Sequence, residues 1–320
     1  MDTLKSLFTQ KKTTGRKTQK KRLNCSPVVK NTRVHSDSCF TPDIFMKIKE
    51  QYNKKHPQSK ISEKDPKKAW YILKERMMCE KEDCMLSQLD NPTMQEQIKR
   101  FIFAPKHPPE WNENPDEWLS NIDIEDVAKQ YEISHPEFKM IGPTTIDFDT
   151  RLPEKNGSCV LNDLCQFSLE NFIQSKKTKI GIVFNLDKHD QSGSHWVSLF
   201  IDIDNKFMFF FDSADNPIPP EIWMKNPNRK PLPLVNRIIE QGLQLDNPIH
   251  FRFYNNRGHS HQQSNTECGM YSLFFIITML TGETPFSKKR LSLKGRRDLF
   301  LKKRVPDEWM LKFRKLYFND

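Results

Sequence analysis

Gln262-Gln263-Ser264-Asn265-Thr266-Glu267-Cys268-Gly269 opens an unbroken apolar run from Met270 to Leu280. A helix that is apolar nearly all round belongs in a core, and this run falls short of the ~18 residues of a membrane span. Cys268 stands at its head. The first turn of a helix carries unpaired N–H groups and the positive end of the dipole, and both favour thiolate over thiol. Gly269 is expected to give access to the sulfur and room for a substrate carbonyl. Backbone N–H groups there, with the side-chain amide of Gln262, supply donors for a developing oxyanion.

Working upstream, three period-two segments read as strands: 180–186, 195–203 and 207–212. Asp204-Asn205 supplies the turn between the second and third. His195 heads one arm of that hairpin and Asp212 closes the other, so pairing brings them within a rung or two. The imidazole then gives one N–H to the carboxylate and turns its other nitrogen to the thiol. A slip of one residue would put the histidine on the opposite face.

Each part has an inert reading taken alone: a small hydrophobe at a helix start, a packed His-Trp pair, a strand end with a turn. Their co-occurrence in the order His195, Asp212, Cys268 points to a cysteine hydrolase. A zinc site drawn from His259, His261 and Cys268 lacks a fourth ligand at usual spacing, and Cys79-x4-Cys84 has no second pair. No metal or cofactor is implied.

Around this centre the layout is α+β: a central mixed sheet with a buried helix carrying the nucleophile, preceded by a small helical module. Residues 1–34 are Lys/Thr/Gln-rich and read as a basic disordered tail. Residues 35–135 form the helical module, with helices expected over 42–53, 66–78, 92–103 and from Asn121 to about Tyr131. Several open on a proline, which suits the first helical position. The proline-rich stretch 104–118 reads as a linker. Residues 136–320 form the catalytic domain, with a helix over 161–174, an amphipathic helix over 231–245, a fourth strand over 249–254, and a basic helical tail from Lys288.

The 320 residues carry a net charge of +10, placed unevenly. Ten Lys/Arg stand against Asp2 in residues 1–35, and twelve against four acids in 286–320, so the body is mildly acidic. Basic ends suggest contact with nucleic acid or an anionic surface, or a solvated tail. Seven scattered cysteines, an odd count without a secretory signal, read as free thiols in a reducing compartment.

Three stretches carry a family resemblance: Ser194-His195-Trp196-Val197-Ser198-Leu199, Phe209-Phe210-Phe211-Asp212-Ser213, and Gln262 through Tyr271. Together they resemble the adenain/Ulp1 clan of cysteine proteases, and more closely the Ulp1-like proteases of large cytoplasmic DNA viruses, the group that contains the African swine fever virus polyprotein protease. Fainter likeness extends through 39–45, 79–86, 141–149 and 304–310. The resemblance implies Cys268 as nucleophile, His195 as general base, Asp212 as its orienting acid, Gln262 as oxyanion-hole amide and Trp196 as the aromatic that flattens the substrate channel. SUMO proteases have Pro-Asn and an Asp before the cysteine; here stand Ser264-Asn265 and Glu267, so Gln263 competes with Gln262 for the amide role.

The activity so implied is cleavage of structural polyproteins, after Gly-Gly, during virion maturation in the host cytoplasm and virion. DNA or virion-core contact through the basic ends is a further implied partner. An isopeptidase removing SUMO or another ubiquitin-like modifier from host proteins is the alternative enzyme. A basic virion scaffold protein with a decayed protease fold is the non-enzymatic one.

Overall fold

The computed structural model describes residues 22–284 and 289–320. Three helices open the chain: α1 (Pro42–Lys55), α2 (Pro66–Arg76) and α3 (Pro92–Ile102). Their N-caps are Thr41, Asp65 and Asn91, each accepting an N–H of the first turn and each followed by proline. Phe45, Ile48, Trp70, Leu73, Met85 and Ile102 bury one face of each against the others. The 104–118 stretch is irregular apart from a short 3-10 turn at Pro109–Asn112, as its prolines require.

After it comes α4 (Asn121–Ser134), closed by a capping box between Ser120 and Asp123. Then follow β1 (Phe138–Thr145), the small pair β2 (Arg151–Leu152) and β3 (Ser158–Cys159), α5 (Asn162–Cys165) and α6 (Leu169–Gln174). The remainder is β4 (Lys179–Asn185), β5 (Trp196–Asp202), β6 (Phe207–Phe211), α7 (Leu234–Gln244), β7 (Arg252–Asn255), α8 (Cys268–Thr281), α9 (Leu293–Lys302) and α10 (Asp307–Tyr317).

The five-stranded sheet runs β1-β4-β5-β6-β7, antiparallel at its centre and parallel at both edges. Its central strands are buried on both faces. Trp196, Phe200, Phe207, Phe209 and Phe211 meet α8, together with α4, α9 and α10. Val197, Leu199, Ile201, Met208 and Phe210 meet α5, α6 and α7 on the other side. Every residue of α8 is buried, which is why its sequence shows no polar face.

Several expectations need correction. Residues 22–34 are not a disordered tail: Leu23 and Val29 are buried in the module's core, and Asn24 is bonded to Asn319. A Lys-rich composition concealed those few apolar anchors; residues 1–21 lie outside the described residues. Helix 161–174 is two short helices, because the chain turns at Gln166–Ser168 so that Phe167 is buried. The segment from Leu293 is helical but is no tail: Phe300, Val305, Met310 and Phe313 pack on α8. Strand β1 was missed because Gly142-Pro143 breaks its alternation, and proline is tolerated there since β1 is an edge. Finally, six cysteines are joined as Cys25–Cys39, Cys79–Cys84 and Cys159–Cys165, leaving Cys268 free. Each pair is close in sequence, so local loops bring the sulfurs together. The packing also places α4 in one core with β1 and α8, while it still contacts the 3-10 turn at Pro27–Val29 and Gln130 donates to the Arg100 and Phe103 carbonyls.

Candidate active site

His195 stands one residue before β5 and Asp212 one residue after β6. The last ladder pair is Ser198 with Phe211, so extending the register sets Asp212 opposite Val197 and two positions diagonal to His195. Diagonal residues two apart share a face and lie within reach of a ring. The His195 Nε2–H donates to Asp212 Oδ1 at 2.6 Å. With Nε2 committed, Nδ1 is the nitrogen left for the thiol, and Cys268 is near enough to raise the pKa of the imidazole.

Burial alone would lower the His195 pKa. The hydrogen bonds to Asp212 and Cys268, and the charges of both, outweigh it and push the imidazole up to about 10. An imidazolium at neutral pH is the partner that a thiolate requires.

Asp212 is fixed from every side. Its carboxylate also accepts the N–H of Ala214 at 2.8 Å and of Asn216 at 2.9 Å. Its backbone is gripped by the buried Asn256, whose Oδ1 accepts the Asp212 N–H at 2.9 Å and whose Nδ2 donates to the Asp212 carbonyl at 2.7 Å.

Gln262 is buried, and Gln263 is exposed. The Gln262 carboxamide accepts the Ser213 hydroxyl at 2.8 Å and donates to the Ser264 carbonyl at 2.7 Å, which leaves one N–H of its amine uncommitted. The backbone N–H groups of Gln263 and Ser264 are held instead by Asp307.

Trp196 is 7% exposed, and its indole N–H donates to the Leu119 carbonyl at 3.0 Å. It lines a cavity of about 730 Å³ whose walls include Trp118, Ile122, Thr144 and Gly193. The expected role of Gly269 needs revision. A Cβ there would sit 3.0 Å from Leu119 Cβ and 3.3 Å from Trp196 Cδ1, so glycine permits close packing rather than opening a path. Cys268 is correspondingly 1% exposed.

Residues 169–310 match the Ulp1 protease family, C-terminal catalytic domain. This chain carries a Ulp1-family cysteine protease domain. The chain is 28% identical over 276 residues to a putative thiol protease of Acanthamoeba polyphaga mimivirus, covering 78% of this chain and 82% of that protein. It is 26% identical over 210 residues to a SUMO-1 cysteine protease of African swine fever virus, covering 63% of this chain and 67% of the relative. The crystal structure of the African swine fever virus protease superposes with a TM-score of 0.55 at 20% identity, over 92% of this chain and 95% of that one. The shared fold therefore reaches beyond the Ulp1-family domain into the N-terminal helices.

His261 is not available to a metal. Its Nδ1 accepts the Val305 N–H at 3.0 Å and its Nε2 bonds the Phe300 carbonyl at 3.1 Å, both in the core. Many C-terminal cations are also engaged internally: Arg296 on the α8 carbonyls of Met279 and Leu280, Arg304 on the His261 carbonyl, Lys294 and Lys302 on Asp298.

Sequence reasoning did not find Asn256, Leu119 or the partner of Glu267. The signal for the last was present: a carboxylate heading an all-apolar helix has to be paired. That partner is Arg314 of α10, 3.0 Å away, with the two side chains only 2% and 4% exposed. Burial raises the Glu267 carboxyl above its ordinary range in spite of the guanidinium beside it.

Proposed function

We propose that this Ulp1-family domain is a cysteine endopeptidase in which Cys268 attacks, His195 moves the proton, Asp212 orients the imidazole and Gln262 helps hold the oxyanion. The observation that carries the reading is the bond from His195 Nε2 to Asp212 Oδ1, with the one unpaired cysteine close enough to raise the pKa of the imidazole. In the first step the thiolate sulfur bonds the scissile carbonyl carbon, and the negative charge passes to the carbonyl oxygen beside the first N–H groups of α8. The C–N bond then breaks, and the His195 proton goes to the leaving amine. Water attacks the thioester, giving its proton to His195, and the sulfur leaves as thiolate.

The substrates in this proposal are structural polyproteins cut after Gly-Gly during virion maturation, in the host cytoplasm and virion. Trp196, packed on Leu119, narrows the approach, and a narrow approach selects residues without a side chain. The chain's own ten glycines include no adjacent pair, so by this rule it does not process itself. Among the described residues no helix is long and apolar enough to cross a membrane. Contact with DNA or a virion core rests on the excess of Lys and Arg in residues 1–35 and 286–320.

Incubating the protein with candidate precursors and sequencing the new N-termini tests the proposal. Cleavage after Gly-Gly that disappears in Cys268→Ala and His195→Ala is expected. Activity only on SUMO-linked lysines would make it an isopeptidase; no product and no His195-dependent thiol labelling would leave a non-enzymatic protein.

A further inference from the structure

Cys268 is flanked by two residues that the proline-rich segment supports. On one side is Glu267, whose carboxylate is held by Arg314 Nε. The same guanidinium donates to the carbonyls of Glu117 at 2.7 Å and Asp116 at 3.3 Å, and lies 4.2 Å from the ring centroid of Trp111. On the other side is Gly269, against which Leu119 packs. Leu119 in turn accepts the indole N–H of Trp196, the neighbour of His195. Residues 116–119 therefore meet Gly269 and Trp196 through Leu119, and reach Glu267 through Arg314.

We propose that Arg314 is a positioning residue for the reaction. It locks the residue before Cys268 to the 111–119 strap, so that sulfur and imidazole are held by one common support. The inference rests on the reading of Cys268 as the nucleophile. Neither Arg314 nor the strap lies within the family match at 169–310. A lysine would keep the charge opposite Glu267, but only the planar fork reaches Glu267, Asp116 and Glu117 together. Displacing a reacting group by about 1 Å costs up to ~100-fold in rate.

The test uses the full chain and the rate of Cys268 alkylation by iodoacetamide across pH, with His195→Ala as reference. If wild type and His195→Ala react alike, the nucleophile reading itself fails. If they differ, Arg314→Lys is expected to lower the rate by about 10- to 100-fold while circular dichroism stays near wild type, and Arg314→Gln, which leaves the Glu267 carboxylate unpaired, is expected to show the same loss together with earlier melting. A folded Arg314→Lys protein that reacts at the wild-type rate overturns the proposal. Should both Arg314 variants fail to fold, Trp111→Leu, which removes only the stacked ring, is expected to show a smaller loss of the same kind. Wild-type reactivity in Trp111→Leu likewise overturns it.

Discussion

His195 Nε2 and Asp212 Oδ1 lie 2.6 Å apart although neither belongs to a strand; each sits one residue outside the strand that carries it. The hairpin fixes their separation, while the freedom just outside the ladder lets the ring turn toward the helix bearing Cys268.

The first prediction concerns pH. The folded-state pKa of His195, about 10, lies above its ordinary 6.5. The stability gained by pairing the imidazolium is thus fully present below 6.5 and is lost as pH rises through about 10. The alkaline limb of kcat/KM should fall near that upper value. In Asp212→Asn the charge partner is gone and the limb should move toward 6.5, which a pH–rate profile of both proteins checks.

Asn256 is expected to matter without touching substrate. Asn256→Ala leaves the Asp212 N–H and carbonyl without their buried partner, a cost of about 1–3 kcal/mol. Urea unfolding should register that loss. Kinetics should show kcat falling more than KM rises, because Asp212 loses its fixed position.

Gly269→Ala should overpack the site by about 1–3 kcal/mol, since Leu119 Cβ stands 3.0 Å from the added methyl. Adding Leu119→Gly, which removes that Cβ, should make the pair less destabilising than its singles added together. A double variant no more stable than the sum of its singles would refute the contact.

At the other end of the chain, Val29→Asp places an unpaired charge in the module's core. A loss of about 3 kcal/mol or more is expected. An unchanged melting curve would mean that this segment is loosely held.

The sequence made the site's chemistry legible wherever one residue type at one spacing had a unique physical use. Cys268 at the head of an all-apolar helix, and His195 and Asp212 at a hairpin's ends, are of that kind. The mixed sheet and the buried nucleophile helix were legible for the same reason, from period-two runs and an unbroken apolar run. What escaped was tertiary. Asn256 looks like a loop asparagine, and Leu119 like the end of a linker, until the chain brings them to Asp212 and Trp196. Strand β1 was masked by Gly142-Pro143, whose local preference is for a turn. Composition also misled at both ends, because charge density conceals the few apolar residues that decide packing.

The pairing of Glu267 with Arg314 has a bearing on how such chains diverge. Removing either partner leaves a lone charge sealed from water, which is far worse than having neither. Substitution at one position is therefore tolerated only alongside a compensating change at the other. Across descendants of this sequence, positions 267 and 314 should drift as a couple, both ionic or both neutral.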